Sequence, residues 1–443
     1  MTASSVSLRS ALTPVSSLLL GTGLLYLGFG LQVTLVPLRA DAEGFGGVAV
    51  GLLGATYYAG FVAGCLFAPF VILRAGHIRA FAAMVSCVSA SVLAFPLLVG
   101  EVSWVLFRFL VGFCISGVLV IIESWLNEKS TTATRGAVMS AYVIITYAGL
   151  TLGQLGVTTQ PLDAFTLFAV CSILLSVAAV PVALTRASQP APIPIVQFRP
   201  KVLWERAPAG FVGALASGLT IGSVLSLSAV FAVMSGLSTS SAALFASAIV
   251  FGGAIGQYPF GRTSDFVDRR FVMFVSACGT AALSLALITA PALTPAMVMG
   301  IGLLFGFVTL PIYSLAAAHA FDWTEYEDMV ETSAGMNLMF GVGSTIGPVL
   351  ASIAMTIFGA AGLFIVTTAA SVGLGLFIAA RIFARAKPAD DMRNDFDLYA
   401  TAPMGAVPTE IEHDPDETPE TGPKGVDLDA EMPDTDKDQK EGV

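Results

Sequence analysis

Histidine is almost missing from this sequence: His77, His319 and His413 are the only three in 443 residues. Catalysis within a membrane calls for a dense reactive group, such as clustered histidines for iron, a His-Glu-x-x-His zinc helix or a Ser/His pair. Their scarcity argues against an enzyme, and no metal or other cofactor is expected. Charge is scarce as well, at 12% of residues against 55% hydrophobic, and the mean hydropathy of +0.81 lies far outside the soluble balance. Cys65, Cys87, Cys114, Cys171 and Cys278 all fall inside apolar runs, without Cys-x-x-Cys or Cys/His spacing. They read as packing residues rather than a disulfide framework. Loops this short hold no soluble sensing module, which weighs against a receptor. No small-residue cleavage site follows the first apolar run, so that run is expected to be a retained span.

What fills the chain instead is apolar sequence of bilayer length, for which roughly 20 residues per helix suffice. Such runs lie near 15–38, 45–72, 79–99, 102–125, 136–159, 163–184, 208–234, 240–260, 271–290, 294–319, 333–358 and 360–382. This pattern predicts an all-α polytopic membrane protein of twelve spans. Basic residues concentrate on the cytoplasmic side of such proteins. With the N-terminus inside, that side collects Arg9, Arg74, Arg79, Lys129, Arg135, Arg186, Arg199, Lys201, Arg206, Arg262, Arg269, Arg270 and Arg381, and the outer side Arg39 alone. A multi-pass protein of the plasma (inner) membrane with both termini cytoplasmic is therefore expected.

The formal charge of -10 belongs to the end of the chain, where residues 384–443 hold six basic and seventeen acidic side chains. Rich in Pro, Asp and Glu, this stretch is too polar to offset its ordering entropy, and a disordered acidic cytoplasmic tail is expected there. The longest polar break, residues 185–207, reads as a linker between a six-helix bundle at 1–184 and another at 208–383. Internal repetition agrees with two halves. Gly60 and Gly64 match Gly252 and Gly256 at an offset of 192, and Gly149, Gly153 and Gln154 match Gly343, Gly347 and Pro348 at an offset of 194. Small residues four apart let helix backbones approach, so these pairs are packing faces first, and sliding faces if the halves move.

Gly261, Asp265, Arg269 and Arg270 follow the eighth span and fall on the first, fifth, ninth and tenth places of Gly-x-x-x-Asp-Arg-x-Gly-Arg-Arg. This is the signature of the major facilitator superfamily, which the chain resembles over residues 15–383. Phe266 and Asp268 depart from it, and the first-half copy keeps Arg74 and Gly76 while Leu73 replaces the acid. Glu123-Ser-Trp-Leu126, Arg135-Gly136, Tyr142 and Gly149-x-x-x-Gly153-Gln154, then His319-Ala-Phe-Asp322 and Gly343-x-x-x-Gly347-Pro348, are similar to the YcaD-type branch of bacterial inner-membrane transporters. The resemblance implies two pseudo-twofold-related bundles and alternating-access (rocker-switch) transport of a small solute. Solute and bilayer are then the partners, with no nucleic acid, in a monomer. It also favours Gln32, Arg108 and Tyr313 as lining residues, because helices one, four, seven and ten line the cavity in that family.

An Asp at one helix end and arginines nearby can bridge neighbouring helices in one state only. Arg74, Gly76, Arg79, Glu123, Gly261, Asp265, Arg269, Arg270 and Asp322 are thus candidates for a cytoplasmic gate, or else form tight turns with anchoring charges. Arg108 lies about seven residues into its span, roughly 10 Å deep, where a charge faces a cavity or snorkels outward. Glu123, at the inner end of the same span, is expected to pair with Arg74 or Arg79, with proton coupling as the other reading. Tyr142, Gln154 and Asn337 complete the candidate pathway. No carboxylate is expected in mid-membrane.

Overall fold

The computed structural model describes residues 12–184, 199–289, 293–325, 328–384 and Phe396, and among them there is no strand. A hydrocarbon environment offers backbone groups no partner outside the segment, so apolar runs of this length close their hydrogen bonds as helices. The first half holds α1 (Ser16–Ala42), α2 (Gly47–Ala75), α3 (His77–Leu97), α4 (Glu101–Glu128), α5 (Thr132–Leu155) and α6 (Phe165–Ala183). The second holds α7 (Pro208–Met234), α8 (Thr239–Phe266), α9 (Arg269–Ile288), α10 (Pro295–Thr309, resuming as Pro311–Phe321), α11 (Met329–Phe358) and α12 (Gly362–Ala384). Among the described residues, eleven separate helical runs are long and apolar enough to cross a membrane, and the last, of 56 residues, contains both α11 and α12. Gly359, at φ 65°, breaks that run into two spans.

Several helices overshoot the apolar runs that announce them, because a helix continues past the hydrocarbon edge until a turn or cap stops it. Gly44 and Gly236, both at positive φ, turn α1 into α2 and α7 into α8, again 192 residues apart. Ser238, Asp268 and Thr294 cap α8, α9 and α10 by accepting amide hydrogen bonds from Ser241, Arg270 and Met297. The linker expected at 185–207 is described only from Arg199 onward, where a short helix, Pro200–Arg206, precedes α7. Of the expected acidic tail, only Ala384 and Phe396 are described; the rest lies outside the described residues.

The same packing scheme occurs twice. In the first half α2 crosses α4, α1 crosses α5 and α6, and α3 packs on α6; in the second α8 crosses α10, α7 crosses α11 and α12, and α9 packs on α12. Between halves, α2 lies on α11 and α5 on α8, a pair of contacts that exchange under the same repeat. Among the described residues, twelve membrane-length helices thus form two related halves, the arrangement that the resemblance implies.

The matched glycines sit inside each half. A Cβ at Gly60 or Gly64 would strike the Phe109 or Phe113 carbonyl oxygen, and one at Gly252 or Gly256 would strike that of Leu303 or Phe307. Gly153 stands against Leu27, and Gly343 and Gly347 against Leu215 and Leu219, in the same way. These are fixed crossings within a half, so they are not the sliding faces they would be if they lay between halves. The inter-half contacts use other residues, with Gly51 against Ser352, Gly54 against Ser226 and Gly341 against Val62.

Candidate functional site

Helices from both halves enclose a central cavity with about 130 Å³ of space open to water centres. Tyr26 and Phe29 of α1, Tyr57 and Tyr58 of α2, Arg108 and Glu123 of α4, and Tyr142, Val143 and Tyr147 of α5 form the wall of the first half. Ile221, Leu225 and Ser226 of α7, Val250 of α8, Leu310 of α10 and Phe340 of α11 form the other. The lining is aromatic and apolar, with one cation and one carboxylate exposed to it.

Arg108 is 3% exposed. Its Nε donates to the Leu53 carbonyl oxygen at 3.1 Å, and its guanidinium carbon lies 4.8 Å from the Tyr57 ring centroid. Nη1 is buried without a hydrogen-bond partner, as is the Tyr57 hydroxyl. Among the described residues, no carboxylate forms an ion pair with Arg108. Burial with a cavity on one side, rather than snorkelling, is what the structure gives this side chain.

Glu123 departs from expectation. It is 2% exposed, lines the cavity, and accepts a hydrogen bond from the Tyr142 hydroxyl at 3.0 Å. The interior therefore does hold a carboxylate, on the cavity wall rather than at a loop with Arg74 or Arg79. Distance from the helix end hid this, since a residue five positions from the end of a long span still faces inward when its side of the helix does.

Of the other expected pathway residues, Tyr142 lines the cavity and Gln32, Gln154, Tyr313 and Asn337 do not. Gln32 and Gln154 are buried, and both polar atoms of the Gln32 amide lack a hydrogen-bond partner. Tyr313 donates to Asn337 Oδ1 at 2.7 Å, joining α10 to α11, and its ring packs on Phe340 with centroids 5.0 Å apart. The pair stands behind the wall. Gln257, which the sequence did not single out, donates to the Tyr147 hydroxyl at 3.1 Å and accepts from Ser314 at 2.9 Å, linking α10, α8 and α5 across the halves. An amide in the middle of an apolar span was the available signal.

The gate candidates of the second half converge. Arg269 Nε lies 3.1 Å from Asp322 Oδ2, with both side chains almost fully buried, and Arg269 Nη2 lies 3.9 Å from Asp265 Oδ1. These pairs tie α8, α9 and the end of α10 together within one half. Arg270 binds Asp268 at 2.8 Å and donates to the Arg381 carbonyl oxygen of α12 at 3.3 Å. Burial raises the Asp268 carboxyl, but the hydrogen bonds and charge of Arg270 outweigh it and hold the group below its ordinary value. Phe396, beyond the last span, donates its amide to Asp265 at 2.9 Å and presses its ring on Gly261. In the first half Gly76, at φ 81°, turns α2 into α3, and Arg74 and Arg79 are exposed. Neither arginine joins an ion pair among the described residues.

Two six-helix halves around a central cavity are an architecture shared with solved transporters. A model of the Major Facilitator Superfamily matches residues 210–404. The MFS-type transporter YcaD of Escherichia coli is 28% identical over 360 residues, 81% of this chain and 93% of that protein, and YcaD of Shigella flexneri is equally similar. Among solved structures, a mutant of the nucleoside transporter NupG aligns with a TM-score of 0.70 at 11% identity, over 84% of this chain and 100% of that one. A bacterial homolog of the human lysosomal transporter Spinster, inward-facing and occupied, aligns at 0.68 with 15% identity, over 86% and 97%. The chain is thus similar to major facilitator superfamily transporters of the YcaD type along most of its length.

Proposed function

We propose that the aromatic cavity is the solute pathway and that Arg108, Glu123 and Tyr142 are among the polar side chains a solute meets in it. The observation that supports this most directly is the shared wall: first-half and second-half helices close the same space, so any rocking of one half on the other reshapes it. The moving bodies are residues 1–184 and 208–383, with 185–207 as their cytoplasmic linker and 384–443 as a cytoplasmic tail. Both termini are inside, in line with the thirteen basic residues on that side. In that orientation the contact of Gly51 with Ser352 closes the outer ends of α2 and α11. At the inner rim, Gly261, Asp265, Arg269, Arg270 and Asp322 brace the second half, and Arg74, Gly76 and Arg79 form the matching turn. Glu123 supplies a carboxylate that a proton-coupled cycle would use. The cavity is complete within one chain, which fits a working monomer, and the chain's function is transport rather than catalysis.

The test is accumulation and efflux profiling of a deletion strain against a metabolite and drug panel, restored with wild type, Arg108→Ala or the cavity-filling Ile221→Trp. Wild type restores a solute phenotype that Ile221→Trp, expressed at equal level, does not. Equal restoration by Ile221→Trp rules the cavity out as the pathway.

A further inference from the structure

Arg108 is a buried cation with an unmet demand. A guanidinium in the membrane interior is costly unless something opposes its charge. Here the described protein supplies one backbone carbonyl and the face of the Tyr57 ring, and no carboxylate in an ion pair. Nη1 and the Tyr57 hydroxyl are both buried without partners, and both belong to side chains that line the cavity. Two orphaned donors beside an open space are the pattern of a site that an acceptor from outside completes.

We propose that Arg108 and Tyr57 form an anion subsite, and that the transported solute is a compact organic monoanion, a carboxylate on an apolar or aromatic body. This rests on the cavity being the solute pathway. The rest of the lining selects the body: Phe29, Val250, Leu225 and Phe340 offer apolar and aromatic surface. The room is that of roughly ten waters at about 10–15 Å³ each, the scale of a small solute. Charge count selects the head. One cation faces the cavity, and Glu123 lies fifteen residues along the same helix, about 22 Å at 1.5 Å per residue. That separation is too long for the adjacent charges of an amino acid to meet both, so a zwitterion gains nothing over a plain carboxylate. A second negative charge finds no second cation on the wall, and Glu123 repels it from the inner end.

Calorimetry on the purified full chain in nanodiscs, with phenylacetate, its neutral amide phenylacetamide, phenethylamine and the dianion phenylmalonate, tests this. Phenylacetate is expected to bind at least tenfold more tightly than the other three. Arg108→Gln abolishes that preference, Arg108→Lys keeps part of it, and Tyr57→Phe weakens phenylacetate alone. Without ligand, Arg108→Gln melts at or above the wild-type temperature, because it removes an unopposed charge. Equal binding of amide and acid, no binding of the acid, or an unliganded Arg108→Gln that melts well below wild type each overturns the subsite. Flux of labelled phenylacetate into proteoliposomes separates the two readings. Arg108-dependent binding without flux keeps the subsite and removes the pathway, whereas flux of the amine or amide without acid preference does the reverse.

Discussion

Replacing Asp322 by Asn should be among the most destabilising single changes at the inner rim. The Arg269–Asp322 pair is 3.1 Å long, with side chains 3% and 2% exposed, so removal of the carboxylate leaves a buried guanidinium whose main charge partner is gone. Such losses run to about 3–5 kcal/mol. Asp265 stands 3.9 Å from the other side of Arg269 and partly compensates, which places Asp322→Asn near the low end, ~3 kcal/mol. Asp265→Asn, from a longer contact and a side chain 12% exposed, should cost only ~1 kcal/mol. Removing both members of the tight pair, as Arg269→Met with Asp322→Leu, should return stability to within about 1 kcal/mol of wild type, because neither charge is then stranded. Unfolding in mixed micelles, followed by tryptophan fluorescence, reads all four proteins. The reasoning fails if the two aspartate variants lose the same stability, or if the double variant is worse than Asp322→Asn.

Gly112→Ala and Gly306→Ala each drive a methyl group into a carbonyl oxygen, of Tyr57 and Ile249 respectively. Each should lose about 1–3 kcal/mol or fail to assemble, whereas Gly136→Ala, with nothing within 4 Å, should be neutral or gain up to ~1 kcal/mol; equal folded yields from the three would contradict the crossing geometry. Arg206→Ala breaks an ion pair with Asp328 whose side chains are 39% and 31% exposed. Its cost in the same unfolding assay should stay under ~1 kcal/mol and disappear in high salt. Asp268 has a lowered folded pKa, so its contribution is present above the unfolded value near ~3.9 and is lost as pH falls through the lower folded value. Asp268→Asn, which keeps a capping oxygen, should therefore reduce stability at neutral pH and have no effect under strongly acidic conditions; a constant deficit at all pH values would deny the Arg270 charge its role.

The spans were legible because hydropathy alone decides whether a segment can lie in lipid, and the repeat was legible because glycine recurs wherever two backbones must touch. Gly60 with Phe109 and Gly252 with Leu303 show one crossing built twice, at the offset seen in the sequence. Rotation about the helix axis was much harder to read. These helices carry apolar side chains on all faces, toward lipid and toward neighbours alike, so periodicity does not reveal which side looks into the cavity. Gln32 and Tyr313 were expected there from the helices that hold them, yet both face elsewhere, while Glu123 and Tyr57 face in. Arg108 was the exception, because a lone cation in a span has few places to go. The rim pairs escaped for another reason: which acid meets Arg269 depends on how α8, α9 and α10 converge, a tertiary fact that no local spacing encodes.

Because backbone atoms make the tightest crossings inside each half, the scaffold depends little on what the cavity side chains are. Every amino acid brings a carbonyl oxygen, so Tyr57 can change its ring while the seat for Gly112 persists. Replacements at Tyr58, Val143 or Leu225 can then retune what the cavity accepts, one position at a time, on a frame that does not register the difference.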